Sequence, residues 1–445
     1  MTILFTTEQY HPLQTGLASA DYGLTLALAR SGHLVYVITT GMYGETKISR
    51  EGKLSSISSG NLSKEIVEIA PNLFVLEFKI YCKVWGEWEG EISKYQKFVQ
   101  NFKCDLLINS AILTWNTDFI YDYLPKCHAK KKILRSHGEY SLMHEWALGY
   151  KERIKDIIRR FYFNSKRYKQ KYYIAWLRHK LKKTLKYYDC VYFLHKNSHA
   201  YTYLKPYCSV DILPNGVFEK DICPPKTITS ALTEQQNNRT TEQQNNRTTE
   251  QQNNRTTEQQ NNRTTEQLAD LLLKPYVLNV SNYYKEKGQD FVLRAYYLSQ
   301  VSIPLIFCGN LDTGNTLESL KNLKEQLDCQ HGFKQVYFFY GIDRNQVVNL
   351  FNKATLFLHG SHAEVFPMVI LESMQFGIPF ICTDVGNVKE LCAELVVTLP
   401  EQMADKINAL LGDPDYYYKI TQELHGTIQE YSYEKIIKKL ERIGE

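Results

Sequence analysis

Two short apolar runs, ATLFLHG (Ala354–Gly360) and IPFICT (Ile378–Thr383), bracket a stretch just long enough for one loop and one short helix, MVILESMQF. The runs read as buried strands, so the segment is a strand–loop–helix–strand unit of the doubly wound type. In such sheets ligands sit at the carboxyl ends of strands, beside helix N-termini. Pro367 is expected at the first helical position, where a missing N–H costs nothing. Glu364 falls in the loop before the helix and Glu372 in its early turns. Both carboxylates are therefore placed to line one cleft.

The same alternation runs through the rest of the chain. In the first half, strands are expected at Ile3–Thr7, His33–Thr40, Leu73–Tyr81, Cys104–Ser110, Lys131–Gly138 and Cys190–His195. Helical stretches separate most of them, beginning with Gly16–Arg30, whose apolar residues recur at helical spacing and which Gly32 ends. This half closes at the Asn-Gly turn of LPNGV (Leu213–Val217). A second series starts at PYVLNVSN (Pro275–Asn282) and continues with a helix from Gly288, strands Ile303–Asn310 and Val336–Gly341, and helices near Leu317–Asp328 and Asn345–Lys353. Tyr416–Gly444 is helical with no strand to follow. The expectation is an α/β chain of two Rossmann-like domains, each a doubly wound parallel sheet with helices on both faces. At 445 residues it has the length for both.

Between the two series TEQQNNRT occurs four times unchanged, from Thr233–Thr240 to Thr257–Thr264. The unit has no apolar residue, so it offers no face to bury and none of the stripe a solenoid requires. It reads as a disordered insertion in an interdomain linker, with a Gln/Asn-rich oligomerisation element as the alternative. The domains are then 1–217, a linker at 218–274, 275–425, and a terminal helix at 426–445 crossing back onto the first domain.

Charge is distributed unevenly. Lys151–Lys186 holds fourteen Lys or Arg against two acids, a local +12 that leaves −7 elsewhere in a chain of net +5. Within it, Ile154, Ile157, Ile158 and Phe161 form one apolar helical stripe, and Tyr173, Trp176, Leu177, Leu181 and Leu185 another. Basic amphipathic helices bind anionic membrane surfaces; the plainer alternative is that the stripes pack on the first domain and the charge is solvated. One basic segment on an otherwise acidic protein argues against a nucleic-acid partner. The ten cysteines include no CxxC pair, which points to a reduced interior rather than to zinc or a disulfide framework. No run of eighteen apolar residues and no signal-peptide pattern is present. A cytoplasmic protein, peripheral at the inner face of the plasma membrane through 151–186, is the expectation.

The segment from Ser361 to Gly386 resembles the donor-binding signature of retaining, nucleotide-sugar-dependent glycosyltransferases of family 4. Ser361, Glu364, Phe366, Glu372, Gly377, Pro379 and Gly386 match its S-x-x-E-G-F-G pattern and the second Glu eight positions on; Val365 and Pro367 replace glycines. VSNYYKEKGQD is similar to the family's G-R-x-x-x-x-K-G segment at Lys287 and Gly288, with Asn282 standing at the Arg. Gly16 matches the second glycine of its first loop, while Ala18 and Ala20 stand where Glu and His are common. His137, ending KKILRSHG, matches its strand-end His. The resemblance implies a GT-B fold, two domains facing across a cleft, and transfer of a sugar from a nucleotide sugar to a glycan or lipid-linked glycan. It implies that Glu364 contacts the donor sugar, Glu372 the ribose, Lys287 the diphosphate and His137 the reaction centre. Gly16, Asn282, Phe366, Pro367 and Met368 are implied to border the donor.

A diphosphate clamp needs cationic donors where negative charge builds, and Asn282 brings none. A GT-B protein that binds the donor without turnover, as a scaffold or binding subunit, is therefore the alternative; an epimerase of the same fold is a third reading. No cofactor or metal is expected, the nucleotide sugar being a co-substrate. Asp413-Pro414-Asp415 spells a D-x-D, but its place between two helices suits a Pro turn and a capping Asp.

Overall fold

The structure, a computed structural model, describes residues 1–43, 46–84, 87–112, 114–138, 180–181, 183–228 and 274–444. The TEQQNNRT repeats lie outside the described residues, as does the basic segment apart from residues 180, 181 and 183–186. The chain divides into two compact units, Met1–Phe218 with Tyr431–Glu445, and Glu219–Glu430.

The main sheet of the first unit has nine strands: β1 (Thr2–Thr6), β2 (Leu34–Thr40), β3 (Lys53–Ser59), β4 (Leu62–Ala70), β5 (Leu73–Phe78), β6 (Cys104–Ser110), β7 (Ala129–Arg135), β8 (Cys190–Phe193) and β9 (Val210–Ile212). They form one sheet in the order β9-β8-β7-β6-β1-β2-β5-β4-β3. All neighbours from β9 to β5 are parallel. The last two pairings, β5–β4 and β4–β3, are antiparallel, which corrects the all-parallel expectation. KLSSISS and LSKEIVEIA carry many Ser, Lys and Glu residues and stay partly solvated, as antiparallel edge strands do. A two-residue turn at Gly60-Asn61 joins them, with Gly60 at φ +58.

Residues alternate along the central strands, so each sheet face carries its own core. Ile3 and Phe5 of β1 join Leu24 and Leu28 of helix α1 (Gly16–Arg30) and Tyr433, Ile436, Ile437 and Leu440 of the terminal helix Tyr433–Gly444. Leu4 faces the other side, with Tyr95 and Phe98 of α2 (Ile92–Asn101), Trp115 and Leu185.

The second unit has six strands, β10 (Val277–Val280), β11 (Leu305–Gly309), β12 (Val336–Tyr340), β13 (Leu356–His359), β14 (Phe380–Thr383) and β15 (Val396–Val397). Their order is β12-β11-β10-β13-β14-β15 and every pairing is parallel. The crossovers include α3 (Gln289–Leu298), α4 (Thr316–His331), α5 (Arg344–Lys353) and α6 (Met368–Gln375). Winding runs one way from β10 to β12 and the other from β13 to β15. The loops after β10 and β13 therefore diverge at the topological switch point, where such sheets take ligands. Further on, Asp413 caps the helix Pro414–Gln429, accepting from the backbone N–H groups of Asp415 and Tyr416 at 3.0 Å each.

Candidate functional site

The loop after β10 turns back on itself before α3. Lys285–Lys287 make one 3-10 turn and Gly288 follows at φ +57. A Cβ on Gly288 would lie 1.9 Å from the carbonyl oxygen of Gly360, so glycine is what lets the two switch-point loops touch. They are also hydrogen-bonded: Glu286 O accepts from His362 N at 2.8 Å and from Ser361 Oγ at 3.1 Å. Asn282, at the position of the expected arginine, is committed to the protein. Its Oδ1 accepts from the backbone N–H groups of Asn310 and Leu311 at 3.2 Å, and its carbonyl accepts from Gln289 Nε2 at 2.8 Å.

This stitching brings Lys287 onto Glu364. Lys287 Nζ donates to Glu364 Oε1 at 2.6 Å, and His359 Nε2 lies 3.3 Å from the same oxygen. Burial alone would raise the Glu364 pKa. The hydrogen bond from His359 and the ammonium of Lys287 instead hold it down at about 2. His359 is 1 % exposed, at the last residue of β13. It was not singled out in the sequence because a histidine ending an apolar strand reads as core.

Glu372 does not join that cluster; its Oε1 is paired with Arg344 Nη2. Arg344 opens α5, behind a capping box of Asp343 and Gln346, on the loop after β12. The sequence signal for it was a basic residue at a helix start following a strand. Pro367 takes the N-cap position rather than the first helical one, and the helix begins at Met368. Its φ of −68 suits either position, so the correction is one residue at a boundary. The first turn of α6 carries no acidic residue and no side-chain cap. Phe366 is buried, and Gly386 (φ +54) passes close to the loop, where a Cβ would meet Val365 O at 2.4 Å.

In the first unit the parallel strands present a second polar group. Asp21 of α1 is fully buried and accepts from Ser110 Oγ at 2.6 Å, Thr7 Oγ1 at 2.8 Å and Arg135 Nη1 at 3.1 Å. His137 Nε2 lies 3.0 Å from Asp21 Oδ1 and 2.9 Å from Arg135 Nη1. Arg135 also donates to Asn215 Oδ1 at 2.7 Å. Burial lowers the His137 pKa against the pull of Asp21, so its ring is neutral near pH 7. Asp21 and Arg135 were missed because a charged residue in an amphipathic helix or strand ordinarily reads as solvated. Gly16 opens α1 behind Thr15, whose Oγ1 accepts from Ala18 N at 3.2 Å. Among the described residues, nothing beyond its chain neighbours and its own helix stands within 4 Å of a Cβ built there.

Residues 263–426 match the family described as Glycosyl transferases group 1. The second unit carries that domain. Over 171 residues the chain is 23 % identical to an uncharacterized glycosyltransferase of Haemophilus influenzae, covering 36 % of this chain and 46 % of the relative. The chain thus spans about half the length of the curated relative it matches. Among solved structures it is similar to sucrose-phosphate synthase of Thermosynechococcus elongatus, at 15 % identity and a TM-score of 0.63, over 99 % of this chain and 98 % of that one. It is also similar to Anabaena HepE solved with UDP-glucose (14 %, 0.56, 99 % and 98 %). The E. coli trehalose-6-phosphate protein bound with UDP-2-fluoro glucose gives 11 %, 0.61, 100 % and 99 %. The fold is GT-B, with one Rossmann-like sheet in each unit. Among the described residues no group of three His, Cys, Asp or Glu is arranged to hold a metal, and no helix is long and apolar enough to cross a membrane.

Proposed function

We propose that the chain is a hexosyltransferase of family 4, moving a sugar from a nucleotide-sugar donor to a glycan or lipid-linked glycan with retention, in cell-surface polysaccharide or glycolipid synthesis. The observation that carries this reading is the ionised Glu364 fixed by Lys287 at the switch point, one turn before the N-terminus of α6. A carboxylate there accepts strongly from sugar hydroxyls. An ammonium and the first N–H groups of α6 suit a diphosphate. Two similar structures hold UDP-glucose and UDP-2-fluoro glucose, in keeping with a nucleotide-sugar donor here.

In this reading Glu364 holds the sugar, Glu372 the ribose and Lys287 the diphosphate, with neutral His137 at the reacting carbon. Phe366, Pro367 and Met368 shape the donor wall, and Gly16 offers backbone to the phosphates. The bond from the anomeric carbon to the diphosphate oxygen breaks as the acceptor oxygen bonds on the same face. The acceptor's proton leaves with the nucleotide. Catalysis is positioning and charge stabilisation, with no side-chain nucleophile or metal in the scheme. The basic segment 151–186 would hold the protein on the anionic inner face of the membrane, beside a lipid-linked acceptor.

The test is hydrolysis and transfer with a panel of UDP- and GDP-sugars. At least one donor should turn over, and Glu364→Ala should abolish turnover without unfolding the protein. Full activity in Glu364→Ala would overturn the assignment. A second reading, a donor-binding subunit with weak or no transfer, is favoured by the engagement of Asn282 with the Asn310 loop. Nucleotide binding without turnover of any panel sugar would select it.

A further inference from the structure

Both hydrogen-bond donors on Glu364 converge on one oxygen. Lys287 Nζ and His359 Nε2 lie 2.6 Å and 3.3 Å from Oε1, and among the described residues no donor reaches Oε2. The two donors differ in kind. Lys287 ends a flexible stem and is 30 % exposed, whereas His359 is 1 % exposed and fixed on a central strand. An ammonium at the mouth of a diphosphate site is shared with the arriving anion, so its hold on Glu364 weakens when the donor binds. A buried imidazole has no such competitor.

The geometry points to His359 as the positioning residue of Glu364: its Nε2–H keeps Oε1 in place so that Oε2 faces the transferred sugar once Lys287 turns to the diphosphate. This deepens the donor-site reading above and rests on it. The ring chemistry supports the assignment. His359 Nδ1 is buried without a partner, and an ionised carboxylate only accepts. A neutral ring therefore carries its proton on Nε2, leaving the lone pair rather than an N–H unpaired. Phe357, stacked near the ring at a centroid separation of 6.3 Å and 16° between planes, restrains its tilt.

Long-range nitrogen–proton NMR on histidine-labelled full-length protein should find His359 as the Nε2–H tautomer, with its signal shifting in Glu364→Gln. An Nδ1–H tautomer overturns the inference, whatever the protein turns over. The kinetic arm uses UDP-glucose, UDP-galactose, UDP-N-acetylglucosamine and GDP-mannose, following whichever the wild type consumes. His359→Leu should lower kcat about 10- to 100-fold, the scale of a misplaced reacting group. UDP affinity and donor KM should stay within about twofold, the order of a secondary effect beside that loss. His359→Gln, whose amide reaches the Nε2 position, should restore most of kcat, and His359→Asn, which falls short, should not. Wild-type kcat in His359→Leu, or equal loss in the Gln and Asn variants, overturns it. Glu364→Ala separates the two levels. If that variant is dead while His359→Leu is unimpaired, only this inference fails. If that variant is fully active, the donor-site reading fails first.

Discussion

Glu364 sits where burial favours the protonated acid, and its neighbours win: the carboxyl is held down to about 2 by His359 and Lys287. A depressed carboxylate stabilises the folded state fully above its unfolded pKa, here near 4.5, and that contribution disappears as pH falls through the folded value. Folding stability should therefore rise between about pH 2 and pH 4.5, by an amount on the order of 1 kcal/mol per pKa unit of depression. Glu364→Gln should flatten this part of the profile. Urea midpoints measured across that window check it, and an unchanged slope in the variant would remove the ion pair from the account. The same residue marks what was legible. Glu364 and Glu372 could be placed from their spacing between two strands, and Lys287 from its resemblance to the family's segment. His359, Arg344 and Asp21 could not, because each acts through a partner on another element that only folding supplies.

At the scale of elements, the two glycines named for the site make different demands. Gly288 is in the left-handed region and its α-carbon faces the Gly360 carbonyl, whereas among the described residues Gly16 has open space where a Cβ would stand. Gly288→Ala should cost more than about 1 kcal/mol, the strain penalty being joined by displacement of the loop that carries Glu364. Gly16→Ala should leave stability unchanged or slightly raised, by about 0.4–1 kcal/mol, because it limits only the unfolded chain. If Gly16 admits phosphate to the backbone, its variant loses donor affinity while keeping its melting temperature. Paired thermal melts and UDP-glucose titrations distinguish these outcomes; equal destabilisation of both variants would contradict the geometry. The strands around these glycines were legible as continuous apolar runs. The β3–β4 hairpin is not legible in the same way, because its half-solvated strands, rich in Ser, Lys and Glu, lack that signature.

At the scale of the molecule, the chain's last residues complete its first unit. After the helix Pro414–Gln429 the backbone pairs Ser432 with Val217, and Tyr433 enters the core beside α1. Gly23 gives the ring room: a Cβ there would stand 2.1 Å from Tyr433 Oη. Phe218 packs on the ring at 5.0 Å, with Arg30 over Phe218 at 4.5 Å, and Lys439 Nζ donates to Ile212 O at 2.6 Å. The phenol reaches Ala20 O at 3.5 Å and also meets the Gly216 backbone, but the buried ring supplies most of what holds the helix down. Tyr433→Ala should destabilise the first unit by about 3–5 kcal/mol, as expected for an aromatic deleted from a core. Tyr433→Phe should cost much less, about 0.5–1.5 kcal/mol, the scale of one hydrogen bond. Because Glu364, Glu372 and Lys287, the side chains proposed to contact the donor, all lie in the second unit, most of the UDP affinity should survive Tyr433→Ala at temperatures below the first unit's transition. Calorimetric scans with and without UDP read both quantities. A parallel loss of UDP affinity at low temperature would mean that the terminal helix supports the donor site as well as the first unit's core.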